Sequence, residues 1–171
     1  AMRGLVESAW YRQTFGIRWK LQTDQRVKTW FNNTAGGHRI SLSANAMVTG
    51  DKGDILVGDN LNDAKKVRSG VERRSVNDWV DQAFSNRTAD EKTSPIVIDG
   101  ERFHREDAIG HQLAKGGFVE LMLDEEFDPA RRGRTPIWED PRQIYGELRR
   151  PRRFGQKEID ERKKSLGPSG Y

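Results

Sequence analysis

The chain has 171 residues, of which 34% are apolar and 33% charged, with no cysteine and a formal net charge of +4. That length allows one domain with a real core or part of a larger one. The lean apolar fraction suits a chain that rests on another domain, yet Trp, Phe, Ile, Leu and Val are too frequent for disorder. Disulfides and thiolate metal sites are excluded by the absence of cysteine. No apolar run approaches the ~18 residues of a membrane span, and no charged-then-apolar start marks secretion, so the sequence reads as cytoplasmic, with no membrane partner.

In chain order, Leu5, Val6, Ala9, Trp10 and Gln13 fall at helical spacing, and Gly16 is placed to end that helix. Arg26 to Asn32 and His38 to Ser43 are extended stretches flanking Asn33-Thr34-Ala35-Gly36-Gly37, the chemistry of a β-hairpin turn. Asp54 to Asp59 is a short apolar run ending in an acid, the way a buried parallel strand delivers a carboxylate to a sheet edge. Val71 to Arg87 is helical, with Val76, Trp79, Val80, Ala83 and Phe84 on one face. A strand at Pro95 to Asp99, a helix from about His104 to Lys115 and a third strand at Phe118 to Leu123 follow. Strand, helix, strand, helix, strand predicts a parallel sheet with right-handed crossovers. Beyond Asp124 the chain is irregular and rich in Pro, Arg and Gly until a short helix near Gln156 to Ser165.

Thr49 to Asp63, TGDKGDILVGDNLND, carries the densest chemistry. A strand ending in Asp59 has the form of a Walker B element, in which the carboxylate holds Mg²⁺ and a following acid polarises the attacking water. A loop-capping aspartate has the same local form. His104 and His111 on the predicted helix are too far apart to share one ion, so a surface helix with Glu106 and Asp107 near its start is the better reading. Arg131, Arg132, Arg134, Arg149, Arg150, Arg152 and Arg153 concentrate positive charge in the last third. They fit either a solvated surface beside Glu139, Asp140 and Glu147, or contact with DNA phosphates. Of Trp10, Trp19, Trp30, Trp79 and Trp138, at least three are expected in the core rather than stacking on bases.

Asn32 to Ser41 (NNTAGGHRIS), Val48 to Asn60 (VTGDKGDILVGDN) and Gly100 to Leu113 (GERFHREDAIGHQL) together resemble the large terminase subunits of tailed bacteriophages and prophages. Val6 to Tyr11, Thr135 to Arg142 and Lys164 to Tyr171 extend the resemblance over nearly the whole chain. It implies a DNA-packaging motor with a P-loop-type ATPase that uses Mg²⁺ and ATP. A ribonuclease-H-like nuclease follows in the family, and the partners are double-stranded DNA, the small terminase subunit and the portal protein, in an infected or lysogenic bacterial host. By matching position, Asp59 is the Walker B magnesium acid, and Asn60 stands where a second acid is usual. Glu101 and Arg102 stand at the polar coupling position, where Gln-Arg is commoner. Arg39 is a candidate for reaching a nucleotide across a subunit boundary, although a surface ion pair fits it better.

The departures are as informative. No G-x-x-x-x-G-K-[ST] occurs in the chain, so there is no phosphate-wrapping loop, and in the family that loop would precede residue 1. An amide at Asn60 cannot take a proton from water, and Asp63 lies at a different place in the loop. The nuclease half is expected after Tyr171. The resulting expectation is an α/β fold, a partial P-loop NTPase-type parallel sheet with flanking helices and a β-hairpin, lacking the Walker A strand–loop–helix. Residues 1–124 would be the central and late part of the ATPase domain and 125–171 an Arg/Pro-rich extension. Such a fragment would hydrolyse no ATP alone, would hold no cofactor by itself, and would self-associate through its open apolar edge. A non-specific DNA-binding module and a decayed prophage remnant with an interaction role are the alternatives.

Overall fold

The computed structural model describes residues 2–22, 29–43 and 50–167. Over these residues it is mixed α/β, with three small two-stranded sheets, and the chain divides into two compact units, residues 1–109 and 110–171.

The first unit opens with two short helices where one was expected, α1 (Met2–Glu7) and α2 (Ala9–Thr14). Ser8 is the cause. Its backbone is extended and its Oγ accepts the Tyr11 amide at 3.2 Å, so it starts a second helix by capping it. Gly16, with a φ of 59°, follows its end as expected.

β1 (Trp30–Asn32) and β2 (His38–Ile40) form the antiparallel hairpin, with Trp30 opposite Ile40. Its turn is fastened by Asn33, whose Oδ1 accepts the amides of Ala35 and Gly37 at 2.9 and 3.0 Å. The ladder is shorter than expected at its second arm, and residues 26–28 of the first arm lie outside the described residues.

β3 (Leu56–Asp59) and β4 (Ile96–Asp99) pair in parallel, with Asp59 and Asp99 in register. Between them α3 (Gly70–Trp79) starts at Ser69, whose Oγ accepts the Glu72 amide. The helix then widens into a π turn over Val80–Phe84 and tightens into a 3₁₀ turn over Ser85–Arg87. Trp79 and Phe84 stack at 5.6 Å, five residues apart, a spacing that an i→i+5 turn brings onto one side. Val76, Val80 (0% exposed) and Ala108, the first residue of α4 (Ala108–Lys115), form the core, with Leu61, Trp79, Phe84 and Ile98 packed on it. The expected apolar face of this helix is therefore the buried one. Across the sheet, Ile55, Val57 and Val97 are exposed.

The third parallel strand expected at Phe118 to Leu123 does not form, and among the described residues the parallel sheet has two strands. Gly116 and Gly117 both take left-handed φ values, 82° and 91°, which turn the chain out of α4. The segment then packs against Gly133, where an added Cβ would stand 2.6 Å from the Met122 carbonyl oxygen.

The second unit has little regular structure. β5 (Arg134–Thr135) and β6 (Trp138–Glu139) make a minimal hairpin, with Ile137 at its tip 96% exposed. α5 (Gln156–Leu166) is the helix expected there; Glu158 accepts the Gly155 amide at its start, and Lys163 pairs with Glu126. Order comes instead from Arg142. Its guanidinium bonds both Asp140 carboxylate oxygens (2.7 and 3.2 Å from Nη2 and Nε to Oδ2, 3.1 Å from Nε to Oδ1). It also donates to the carbonyls of Asp124, Glu125 and Glu147 at 2.8, 3.2 and 3.0 Å. Phe127, 2% exposed, lies beneath Arg142 and Arg132, whose guanidinium carbons stand 5.3 and 4.9 Å from its ring centre. The Arg142–Asp140 pair has little exposed surface.

Replacing Arg142 with Met removes the side-chain donors of Asp140 and of the Asp124 carbonyl, while the carbonyls of Glu125 and Glu147 keep the amides of Arg149 and Phe127 and Asp140 keeps the main-chain amide of residue 142. The expected loss is about 3 kcal/mol, near the lower end for a broken buried pair because main-chain amides still serve Asp140 and two of the carbonyls, measured by urea unfolding. Hydrogen bonds from Arg142 hold the Asp140 carboxyl below its ordinary 3.8 against the opposing effect of burial. At Glu125 burial pushes the carboxyl up, but bonds from Arg150 and Arg149 outweigh it and leave it below 4.5. Both groups therefore add stability that is present above their unfolded values and is lost as the pH falls through the lowered ones. The melting midpoint should hold at neutral pH and drop below pH 4.5, with a shallower acid dependence in Arg142→Met.

Candidate functional site

Parallel strands bring their carboxyl ends to one edge, and residues just beyond them are where α/β folds place chemistry. Here that edge holds Asp59, Asn60, Asp99, Gly100, Glu101 and Arg102. Asp59 is exposed at the end of β3. Gly58 before it is buried, and an added Cβ there would come within 2.9 Å of the Leu61 side chain. Asn60 continues the ladder by donating its amide to the Asp99 carbonyl at 2.9 Å. It then turns with a φ of 47°, the only non-glycine positive φ among the described residues, a conformation asparagine tolerates better than most side chains. Its Nδ2 donates to Asp59 Oδ1 at 3.0 Å, and its Oδ1 accepts the Glu101 amide at 3.4 Å.

The bonds of Arg102 lie within its own loop. Its Nε donates to both oxygens of Asp107, at 2.8 and 3.1 Å, and its Nη2 to the carbonyls of His104 and Arg105 at 3.4 and 3.2 Å. Asp107, 2% exposed, also accepts the amides of Phe103 and His104 at 2.9 and 3.1 Å. This bonded loop leads into α4, whose first amide, that of Ala108, donates to Asn62 Oδ1 at 2.7 Å. Arg73 braces the same loop from α3 by pairing with Glu106 at 3.2 Å. The sequence marks Asp107 as an acid near a helix start, but its role as the partner of Arg102 depends on how the loop closes and has no signal in the local pattern.

The other candidates are dispersed. The Asp63 carboxylate accepts the Lys65 amide at 2.7 Å within its own turn, beside a cleft of about 170 Å³ floored by Val67 and Val76. Arg39, on β2, donates to Ser41 Oγ. His104 Nδ1 accepts the Glu106 amide at 3.0 Å. Trp19 and Trp79 are half-buried, but Trp10, Trp30 and Trp138 are exposed, so the expectation of three core tryptophans is corrected. Their indoles have partly apolar surroundings in sequence that the fold leaves open on one side.

Most arginines of the last third are bonded to carboxylates. Arg131 pairs with Asp124, Arg132 and Arg134 with Glu139, all at 3.2 Å. Arg149 and Arg150 converge on Glu125 at 2.8 and 3.2 Å. Arg150 and Arg153 each lie 5.2 Å from the Phe154 ring centre, and Arg152 is exposed. Residues 124–153 hold eight arginines against seven carboxylates, so the segment is close to neutral as a whole.

Asp59 fits a Mg²⁺ ion as one carboxylate ligand only. Its Oδ1 already accepts from Asn60, and no three His, Asp or Glu side chains gather among the described residues. A hard cation there would draw its remaining donors from phosphate and water. No helix among the described residues is long and apolar enough to cross a membrane. No family model, curated protein or solved structure matches the chain.

Removing Asp107 deprives Arg102 and two backbone amides of their acceptor. Asp107→Ala should cost roughly 2–3 kcal/mol, and more than Arg102→Met, because Arg102 is the more exposed partner. Paired denaturant titrations check the order; a larger loss from Arg102→Met would refute this role for Asp107.

Proposed function

We propose that this chain is part of the DNA-packaging ATPase of a tailed-phage large terminase, a piece that does not hydrolyse ATP by itself. The observation that carries the reading is the end of β3: Asp59 stands at the carboxyl edge of a parallel pair and is followed by a neutral side chain. A strand-end carboxylate at such an edge suits a Walker B acid. Asn60 has no basic oxygen able to accept a proton from water, and its amide is engaged on both sides. Without a glycine-rich phosphate loop in these 171 residues, neither the lysine nor the hydroxyl that such a loop brings to nucleotide phosphates is supplied.

In the intact motor, ATP and Mg²⁺ would be completed by that loop, and double-stranded DNA, the small terminase subunit and the portal would be the partners. The bonded loop from Arg102 to Asp107 suits a coupling element, since it links the strand edge to α4 through defined contacts. A dedicated non-specific DNA-binding module is the weaker reading, because nearly equal numbers of carboxylates and arginines share the last third.

Titration with a fluorescent ATP analogue and Mg²⁺ should show no saturable binding, for the native chain and for Asp59→Ala alike. Saturable binding that Asp59→Ala abolishes would mean that the chain holds nucleotide without the loop, and the proposed inactivity would be wrong. The family reading has a separate check in the flanking DNA: an in-frame G-x-x-x-x-G-K-[ST] upstream is expected, and a different upstream gene would sink it.

A further inference from the structure

Position 60 has a chemical requirement that a missing catalytic acid does not describe. Two neighbours face the Asn60 side chain: a carboxylate oxygen of Asp59, which can only accept, and the Glu101 amide, which can only donate. A side-chain amide satisfies both at once and in one orientation, since the flipped amide would set oxygen against oxygen and N–H against N–H. A carboxylate would keep the bond from Glu101 and turn the other into a repulsion. The backbone adds two constraints. Asn60 turns with a left-handed φ of 47°, and its main-chain amide is tied to the Asp99 carbonyl at 2.9 Å. Across the gap, a Cβ at Gly100 would stand 3.2 Å from Asn60 Oδ1 and 3.4 Å from its Cα, so Asn60 is seated close against a residue without a side chain.

We infer that Asn60 is a positioning residue whose amide holds the Asp59 carboxylate and the Gly100–Glu101 peptide in one arrangement, so that an acid at position 60 disrupts this edge rather than completing it. Asn60 is thus a built part of the junction between the two strand ends, and not the decayed form of a general base. The inference concerns the same edge as the proposed function but stands on its geometry alone, whether or not a nucleotide is the ligand.

The test uses the full chain and two readouts. In ¹⁵N-edited NMR spectra the Asn60 side-chain NH₂ should show one proton displaced downfield by its bond to a carboxylate, and Asp59→Ala should abolish the displacement. For stability, Asn60→Gly keeps the backbone conformation and removes the amide, whereas Asn60→Asp keeps an acceptor and adds a like charge beside Asp59. Asn60→Asp should lower the melting midpoint by about 4 °C at low salt, with most of the loss recovered in 1 M NaCl, where exposed charges are screened within ~3 Å. Asn60→Gly should lose about half as much, and salt should not restore it. The inference is overturned by an undisplaced NH₂ resonance, by an Asn60→Asp variant as stable as the native chain, or by a loss that salt leaves unchanged.

Discussion

Arg142 donates to three main-chain carbonyls while it pairs with Asp140, and the same device recurs through both units. Arg73 donates to the carbonyls of Val67 and Arg68, Arg102 to those of His104 and Arg105, Arg132 to that of Asp140, and Arg12 to that of Trp19. The constraint behind it is the small apolar content. With few strands and short helices, many backbone carbonyls lie in loops where main-chain amides fill at most one of their two lone pairs, and a buried carbonyl short of donors is costly. A guanidinium offers five N–H groups in a rigid plane, so one side chain can satisfy several carbonyls and a carboxylate together. Arginine here is mostly scaffold.

That use of arginine explains why the last third reads two ways in sequence. Counting positive residues finds Arg131 to Arg153 easily, but a count does not show that Asp124, Glu125 and Glu139 stand beside them in space. Arg142 and Asp140, which organise the second unit, carry no local mark of that role. Their bonds reach back to residues 124 and 125, across a separation that local pattern does not encode.

Elements with local causes are legible. The turn at Asn33 to Gly37, the apolar face of α3, the two strands ending in acids and α5 all follow from nearby side chains. The single helix expected over Leu5 to Gln13 is divided by a local competitor, because Ser8 caps a new helix more readily than it continues an old one. The third strand fails for the opposite reason: β propensity in Phe118 to Leu123 is real, but a strand exists only with a partner, and this stretch packs beside Gly133 instead. At the candidate site the positions of Asp59 and Asn60 are readable, whereas the closure of Arg102 onto Asp107 requires the folded loop.

The π turn at Val80–Phe84 has a consequence for how this helix tolerates change in length. A turn closed on the fifth residue accommodates one residue more than a regular α-helical turn. Deleting a single residue there would let the segment relax to ordinary winding and leave the residues downstream near their present angular phase, because the π turn has already absorbed that one extra residue. Trp79 and Phe84 would then stand four residues apart, still on one side of the helix, and the chain would still reach the Arg87–Thr88 approach to Gly53 in phase. The irregular turn thus acts as slack: the helix can lose one residue of length there without changing the phase at which it hands the chain back to the sheet.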